Sequence, residues 1–203
     1  MLNLVFLPAT EPDDKTFGMI PTRIEGCSSI SIHQVRYPGM VWYNAAVRRE
    51  AIDQIRTLDV TSIVLVGFSK SGLGAWNIAR TIPDCISGTI IFDAPVSREE
   101  RPVPETAPFY ADDASWREEL PNRTVPAFKT VMPATHSLVL ISGDGYHDEM
   151  CTLSKSLGKI RVEHSFLPRP HLKHHWNSGW IEQGLNEIYP QGAPQQGHRH
   201  RRP

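Results

Sequence analysis

Three things are scarce in this chain, and each scarcity excludes something. Cysteine occurs only at Cys27, Cys85 and Cys151 among 203 residues. An odd number at wide spacing is not the disulfide framework of a small secreted domain; it suits the reduced thiols of a cytoplasmic protein. Net charge is also scarce, with 21 Lys and Arg against 22 Asp and Glu for a formal charge of -1. No overall field would draw in nucleic acid or an anionic membrane surface, and neither is expected as a partner. Long apolar runs are absent: none approaches the roughly 18 residues that a membrane-spanning helix needs. The opening segment MLNLVFLPATEPDD has a short apolar stretch with no basic residue before it and two Asp soon after, which is not the pattern of a secretory leader.

What is present is enough for one core. Hydrophobic residues make up 40% of the chain, and its length fits one full-sized domain. Residues 3–7 and 28–35 read as strands, the first stopped by Pro8 and the second by Tyr37-Pro38-Gly39. Over 41–58 the apolar residues Val41, Ala45, Ile52, Ile55 and Leu58 recur at helical spacing, with Arg48, Arg49, Glu50, Asp53 and Arg56 between them. Segments 62–66, 88–92 and 137–142 are β-branched or leucine-rich runs of the kind that fill a parallel sheet covered on both faces. Helices are expected over 73–81, 148–158 and 177–188, with a last strand over 161–167. This alternation predicts a three-layer α/β sandwich around a mostly parallel sheet with right-handed crossovers.

Two stretches break the alternation. Segment 97–136 is rich in proline and charge and carries Phe109, Tyr110, Trp116 and Phe128. It is expected to be a cap-like insertion without long regular elements, with Phe109, Tyr110 or Trp116 lining the acyl or leaving-group pocket. The tail 191–203 (QGAPQQGHRHRRP) is nearly devoid of apolar residues and is expected to be disordered, leaving 1–190 as the domain.

The chemistry concentrates around Ile63-Val64-Leu65-Val66-Gly67-Phe68-Ser69-Lys70-Ser71-Gly72. An apolar strand runs into a serine among small residues and then into a helix, so the chain must turn sharply at Ser69. Such a turn needs a small residue two positions away, which Gly67 supplies. It would lift the Ser69 hydroxyl above the C-terminal edge of the sheet, where open α/β sheets carry their ligand sites. The plainer alternative is that Ser69 or Ser71 caps the helix. A phosphate-binding GxxxxGK[ST] loop does not fit, because Leu73 stands where the lysine belongs.

In these residues the sequence resembles the α/β-hydrolase superfamily of serine hydrolases and esterases, whose nucleophile elbow is GxSxG; here Ser71 replaces the second glycine and Gly72 follows it. The resemblance spans roughly 3–189 and implies a compact version of that fold without its two outer N-terminal strands. It implies Ser69 as the nucleophile, followed in chain order by an acid and a histidine on loops after later strands. For the acid it points to Asp148, in Gly143-Asp144-Gly145-Tyr146-His147-Asp148, with Asp144 and then Asp93 as alternatives. For the base it points to His174, in His171-Leu172-Lys173-His174-His175-Trp176, with His175 and His171 behind it. The backbone amides of Lys70 and of Ala9, or else Thr10, would hold the oxyanion, because Pro8 has no N–H to offer. Metal binding by the histidine cluster lacks a matching motif, so neither metal nor cofactor is expected. The expected activity is cleavage of a carboxylic ester or related acyl bond of a small molecule through an acyl-enzyme. The alternative is a catalytically inactive member of the fold that binds a ligand or partner.

Overall fold

The computed structural model describes residues 2–10, 20 and 30–189. The disordered-tail expectation for 191–203, the start of the strand over 28–35 and Cys27 therefore lie wholly or partly outside the described residues. Six strands form one parallel sheet: β1 (Leu2–Leu7), β2 (Ile30–Gln34), β3 (Ile63–Phe68), β4 (Ile86–Phe92), β5 (Ser137–Ile141) and β6 (Ser165–Leu167), in the order β2-β1-β3-β4-β5-β6. The helices are α1 (Ala45–Arg56), α2 (Lys70–Thr81), α3 (Asp113–Glu119), α4 (Pro121–Val131), α5 (His147–Lys159) and α6 (Trp180–Ile188).

The apolar runs are explained by two-sided burial. Along β3, Ile63 and Leu65 enter one core with α1, α2, α4 and α5, while Val64, Val66 and Phe68 enter a second core with Trp176, Trp180 and Ile181 at and before the start of α6. Successive strand side chains point to opposite faces, so a strand buried on both must be apolar throughout. The result is the expected three-layer α/β sandwich.

Helix α1 starts four residues later than its apolar spacing predicts, because Asn44 caps it: the Asn44 side chain accepts from the Val47 N–H and donates to the Phe109 carbonyl. The displaced segment 41–43 folds against the end of β1, with the Val41 N–H donating to the Ala9 carbonyl.

Segment 97–136 is not one irregular insertion. Its second half contains α4, which lies in the same core as α2 and α5, with Phe128 stacked on Trp76 at 3.9 Å between centroids. It is the crossover helix from β4 to β5. Of the aromatics expected to line a pocket, Trp116 is fully buried and Tyr110 nearly so, and both pack edge to face, Trp116 on Trp42 and Tyr110 on Trp116. These rings anchor the segment to the core; they do not line an open cleft. Its first residues reach the C-terminal edge of the sheet, where the Ser97 and Arg98 N–H groups donate to Glu149 in the first turn of α5.

Candidate active site

At the end of β3 the backbone of Ser69 adopts φ 55° and ψ -129°, a conformation that costs a non-glycine residue about 1–3 kcal/mol and is kept only where the surroundings impose it. Three contacts impose it. The Ser69 N–H continues the sheet ladder to the Phe92 carbonyl at 3.0 Å, and the Ser69 carbonyl accepts from the Gly72 N–H at 2.9 Å. The α2 backbone also returns so closely over β3 that a Cβ on Gly67 would lie 2.5 Å from the Ser71 carbonyl oxygen, which only glycine tolerates.

Ser71, the departure from GxSxG, fits without strain. Its hydroxyl accepts from the Phe68 N–H at 2.8 Å and donates to the Phe68 carbonyl at 2.9 Å, clipping the turn from inside. The close approach of α2 to β4 falls to Gly72 instead, whose Cβ would sit 2.6 Å from that of Ala94. Ser69 makes no side-chain cap bond to α2, so its hydroxyl is directed elsewhere.

It meets His174, with Nε2 to Oγ at 3.1 Å. On the far side of the ring, Nδ1 lies 2.7 Å from Oδ2 of Asp93. Asp93 directly follows β4, itself at a positive φ of 43°, its N–H bonded to the Ile141 carbonyl at 2.8 Å. Its carboxylate is fully buried and accepts three backbone N–H groups: Gly143 at 2.7 Å and Tyr146 at 2.9 Å on Oδ1, and Gly145 at 2.9 Å on Oδ2. Burial alone would raise its pKa, but the His174 bond and these three amides outweigh that and hold it below the usual carboxylate range.

The carboxylate on the histidine is therefore that of Asp93. Asp148, the expected acid, lies in the first turn of α5 with its side chain exposed. The loop after β5 does not present an acid to His174; it wraps its amides around one that arrives from β4. That is why the loop reads Gly-Asp-Gly. A Cβ on Gly143 would come within 2.7 Å of Asp93 Oδ2, and one on Gly145 within 2.7 Å of His174 Nδ1. Asp144 has a different place: it accepts from the His174 N–H at 2.6 Å and from Lys173 Nζ at 3.0 Å, and its own N–H donates to the Leu172 carbonyl at 2.8 Å. Lys173 foremost, with the His174 N–H, lowers its pKa. Asp144 thus fastens the loop that carries His174.

The imidazole itself rests among rings, with Phe68 at 4.6 Å and Tyr146 at 5.3 Å between centroids. His171 and His175 are exposed, and His175 Nδ1 accepts from the Asn177 N–H. Lys70, the first residue of α2, holds its ammonium 5.6 Å from the centroid of the Trp42 ring. Ala9 is buried directly beyond the end of β1. Among the described residues no three His, Cys, Asp or Glu side chains converge to hold a metal ion, and no helix is long and apolar enough to cross a membrane.

Neither a protein-family model nor a curated protein matches the sequence. Solved structures do match the fold. The chain is similar to an S-formylglutathione hydrolase from Agrobacterium tumefaciens, with a TM-score of 0.65 at 13% identity over 91% of this chain and 82% of that one. It is similar to the thioesterase domain of the curacin biosynthetic pathway, with a TM-score of 0.54 at 13% identity over 91% and 90%. Porphyromonas gingivalis dipeptidyl peptidase 4 superposes with a TM-score of 0.61 at 10% identity over 93% of this chain, which spans only 30% of that longer one. The chain thus has the α/β-hydrolase fold, and its structural neighbours are hydrolases.

Proposed function

We propose that the protein is a serine hydrolase that cleaves a carboxylic ester or related acyl bond of a small molecule. The observation that carries the reading is the unbroken chain from Ser69 Oγ through His174 to a buried, ionised Asp93. Its hydrolase neighbours, a thioesterase and an S-formylglutathione hydrolase among them, agree with acyl chemistry.

In this mechanism His174 Nε2 takes the Ser69 proton as Oγ attacks the acyl carbon. Asp93 holds Nδ1–H and so fixes the tautomer that leaves Nε2 free to accept, then stabilises the imidazolium. Negative charge gathers on the acyl oxygen at the N-terminus of α2, facing the Lys70 and Ala9 amides. His174 then gives its proton to the leaving group, and the acyl-enzyme is hydrolysed when water attacks with His174 as base. Arg98 lies 5.5 Å over the ring of Tyr146, which packs on His174, and the two side chains take the role of a partial cap on that side. The free thiols of Cys85 and Cys151 agree with a cytoplasmic location.

The test is hydrolysis of p-nitrophenyl acetate together with labelling by a fluorophosphonate. Ser69→Ala should lower kcat by about 10³-fold or more and abolish labelling with the fold intact, as when a triad member is removed. Ser71→Ala should keep both within about tenfold. Absence of turnover and of labelling in the folded wild-type protein would make the chain a binding protein on a hydrolase fold.

A further inference from the structure

The reading above needs a second amide at the oxyanion, and the loop that must supply it begins with a proline. The sheet register places that loop: Leu7 of β1 is paired with Gly67 of β3, so the segment from Pro8 onward leaves the sheet beside the turn at Ser69. What fixes the direction of the Ala9 N–H is not local. The Tyr43 hydroxyl donates to the Pro8 carbonyl at 2.6 Å, across a sequence separation of 35 residues in a fully buried setting. The Pro8 carbonyl and the Ala9 N–H belong to one planar trans peptide and point in opposite directions, so a donor that holds the carbonyl from one side aims the N–H to the other. The next peptide is held likewise, its Ala9 carbonyl taken by the Val41 N–H at 2.9 Å.

We propose that Tyr43 is a positioning residue for this hydrolase, acting through the Pro8–Ala9 peptide to aim and polarise the Ala9 N–H toward the developing oxyanion. The inference rests on the hydrolase reading. Donation to a peptide carbonyl strengthens the N–H of the same peptide as a donor, so the phenol contributes polarity as well as direction. The ring is set for this task. It lies against α2 so closely that a Cβ on Gly74 would fall 2.3 Å from Tyr43 Cδ1, and Tyr37 packs edge-on at 5.7 Å. Burial pushes the phenol well above its ordinary range, so it remains a donor at any working pH. Gly74 and Tyr43 therefore explain a sequence feature outside the nucleophile motif: the small residue at 74 admits the ring that reaches the loop after β1.

The experiment is Tyr43→Phe, which keeps the ring and removes only the hydroxyl, assayed with p-nitrophenyl acetate and with phenylboronic acid, whose tetrahedral adduct on Ser69 mimics the oxyanion. The expected result is a fall in kcat of about tenfold and a matching rise in the boronate Ki, with KM unchanged. This is less than the roughly 10²–10³-fold cost of deleting an oxyanion donor outright, because the Ala9 N–H is loosened and not removed. A purely structural role would lower the thermal midpoint and leave the boronate Ki of the folded protein where it was; that outcome overturns the proposal, as does unchanged kcat. Should Tyr43→Phe fail to fold, 3-fluorotyrosine placed at position 43 serves instead: its stronger donor should tighten boronate binding, and unchanged binding overturns the inference. Wild-type turnover with a fully active Tyr43→Phe variant sinks this inference alone, whereas an inactive and unlabelled wild type sinks it together with the hydrolase reading.

Discussion

The loops that follow β4 and β5 both carry aspartates at the C-terminal edge of the sheet, yet they treat them in opposite ways. Asp93, after β4, is fully buried at a positive φ and collects four hydrogen bonds, one from His174 and three from backbone amides. Asp144 and Asp148, after β5, are exposed; one fastens a neighbouring loop and the other sits in the first turn of a helix. A buried carboxylate remains ionised only where enough donors converge on it. The loop after β5 spends its donors on Asp93, so the acid for the histidine comes from the earlier strand.

That comparison can be broken most forcefully at the glycines. Gly145→Ala would press a methyl group against both His174 Nδ1, at 2.7 Å, and Asp93 Oδ2, at 2.8 Å, and force the pair to shift. A displacement of the order of 1 Å in a catalytic group costs roughly 10²-fold, and kcat for p-nitrophenyl acetate should fall by about that factor. Gly158→Ala, where nothing lies within 4 Å of the added carbon, should leave kcat unchanged.

Acid sharpens the contrast next. The Asp93 pKa is held below its unfolded value, so its contribution to stability is fully present above the unfolded carboxylate pKa of about 3.9 and is lost as pH falls below it toward the folded value. Urea unfolding should show wild type more stable than Asp93→Asn by a constant amount from neutral pH to about pH 5, with the gap narrowing below about pH 4. A gap that is flat down to pH 2 would mean that Asp93 is not held as an anion.

The smallest effect belongs to Asp144. Asp144→Asn keeps an acceptor for the His174 N–H but loses the ion pair to Lys173, which is exposed and so contributes little. Its kcat should fall by less than about threefold. Asp144→Ala removes the brace altogether and should cost about tenfold, read in the same assay with the pH profile unshifted, because Asp144 supports the loop and does not touch the reacting atoms.

Much of the fold was legible in the sequence because burial on both faces turns strands into apolar runs, and because Gly67 marks where helix and strand touch. Helix α4 is not legible in the same way, since Pro121 and Pro126 look like breakers. In place, Pro121 occupies the first helical position, where its missing N–H costs nothing, and Pro126 falls on the exposed side. The buried Pro121, Val125 and Phe128, at i, i+4 and i+7, were the available sign of it. Ser69 and His174 stand within hydrogen-bond reach of each other as the resemblance implied. The acid could not be read the same way: three aspartates follow β4 and β5, and choosing among them depends on amides from 50 or more residues away closing around one. Gly143 and Gly145 were the sign, as residues small enough to lie against a carboxylate and an imidazole.

The most direct test of the account is a side-by-side measurement of kcat/KM for Asp93→Asn and Asp148→Asn on p-nitrophenyl acetate. Asp93→Asn should lose about 10³–10⁴-fold, as when the orienting carboxylate of a Ser-His-Asp triad is neutralised, while Asp148→Asn stays within about twofold of wild type. Collapse of Asp148→Asn beside an active Asp93→Asn would contradict the assignment of the acid to β4.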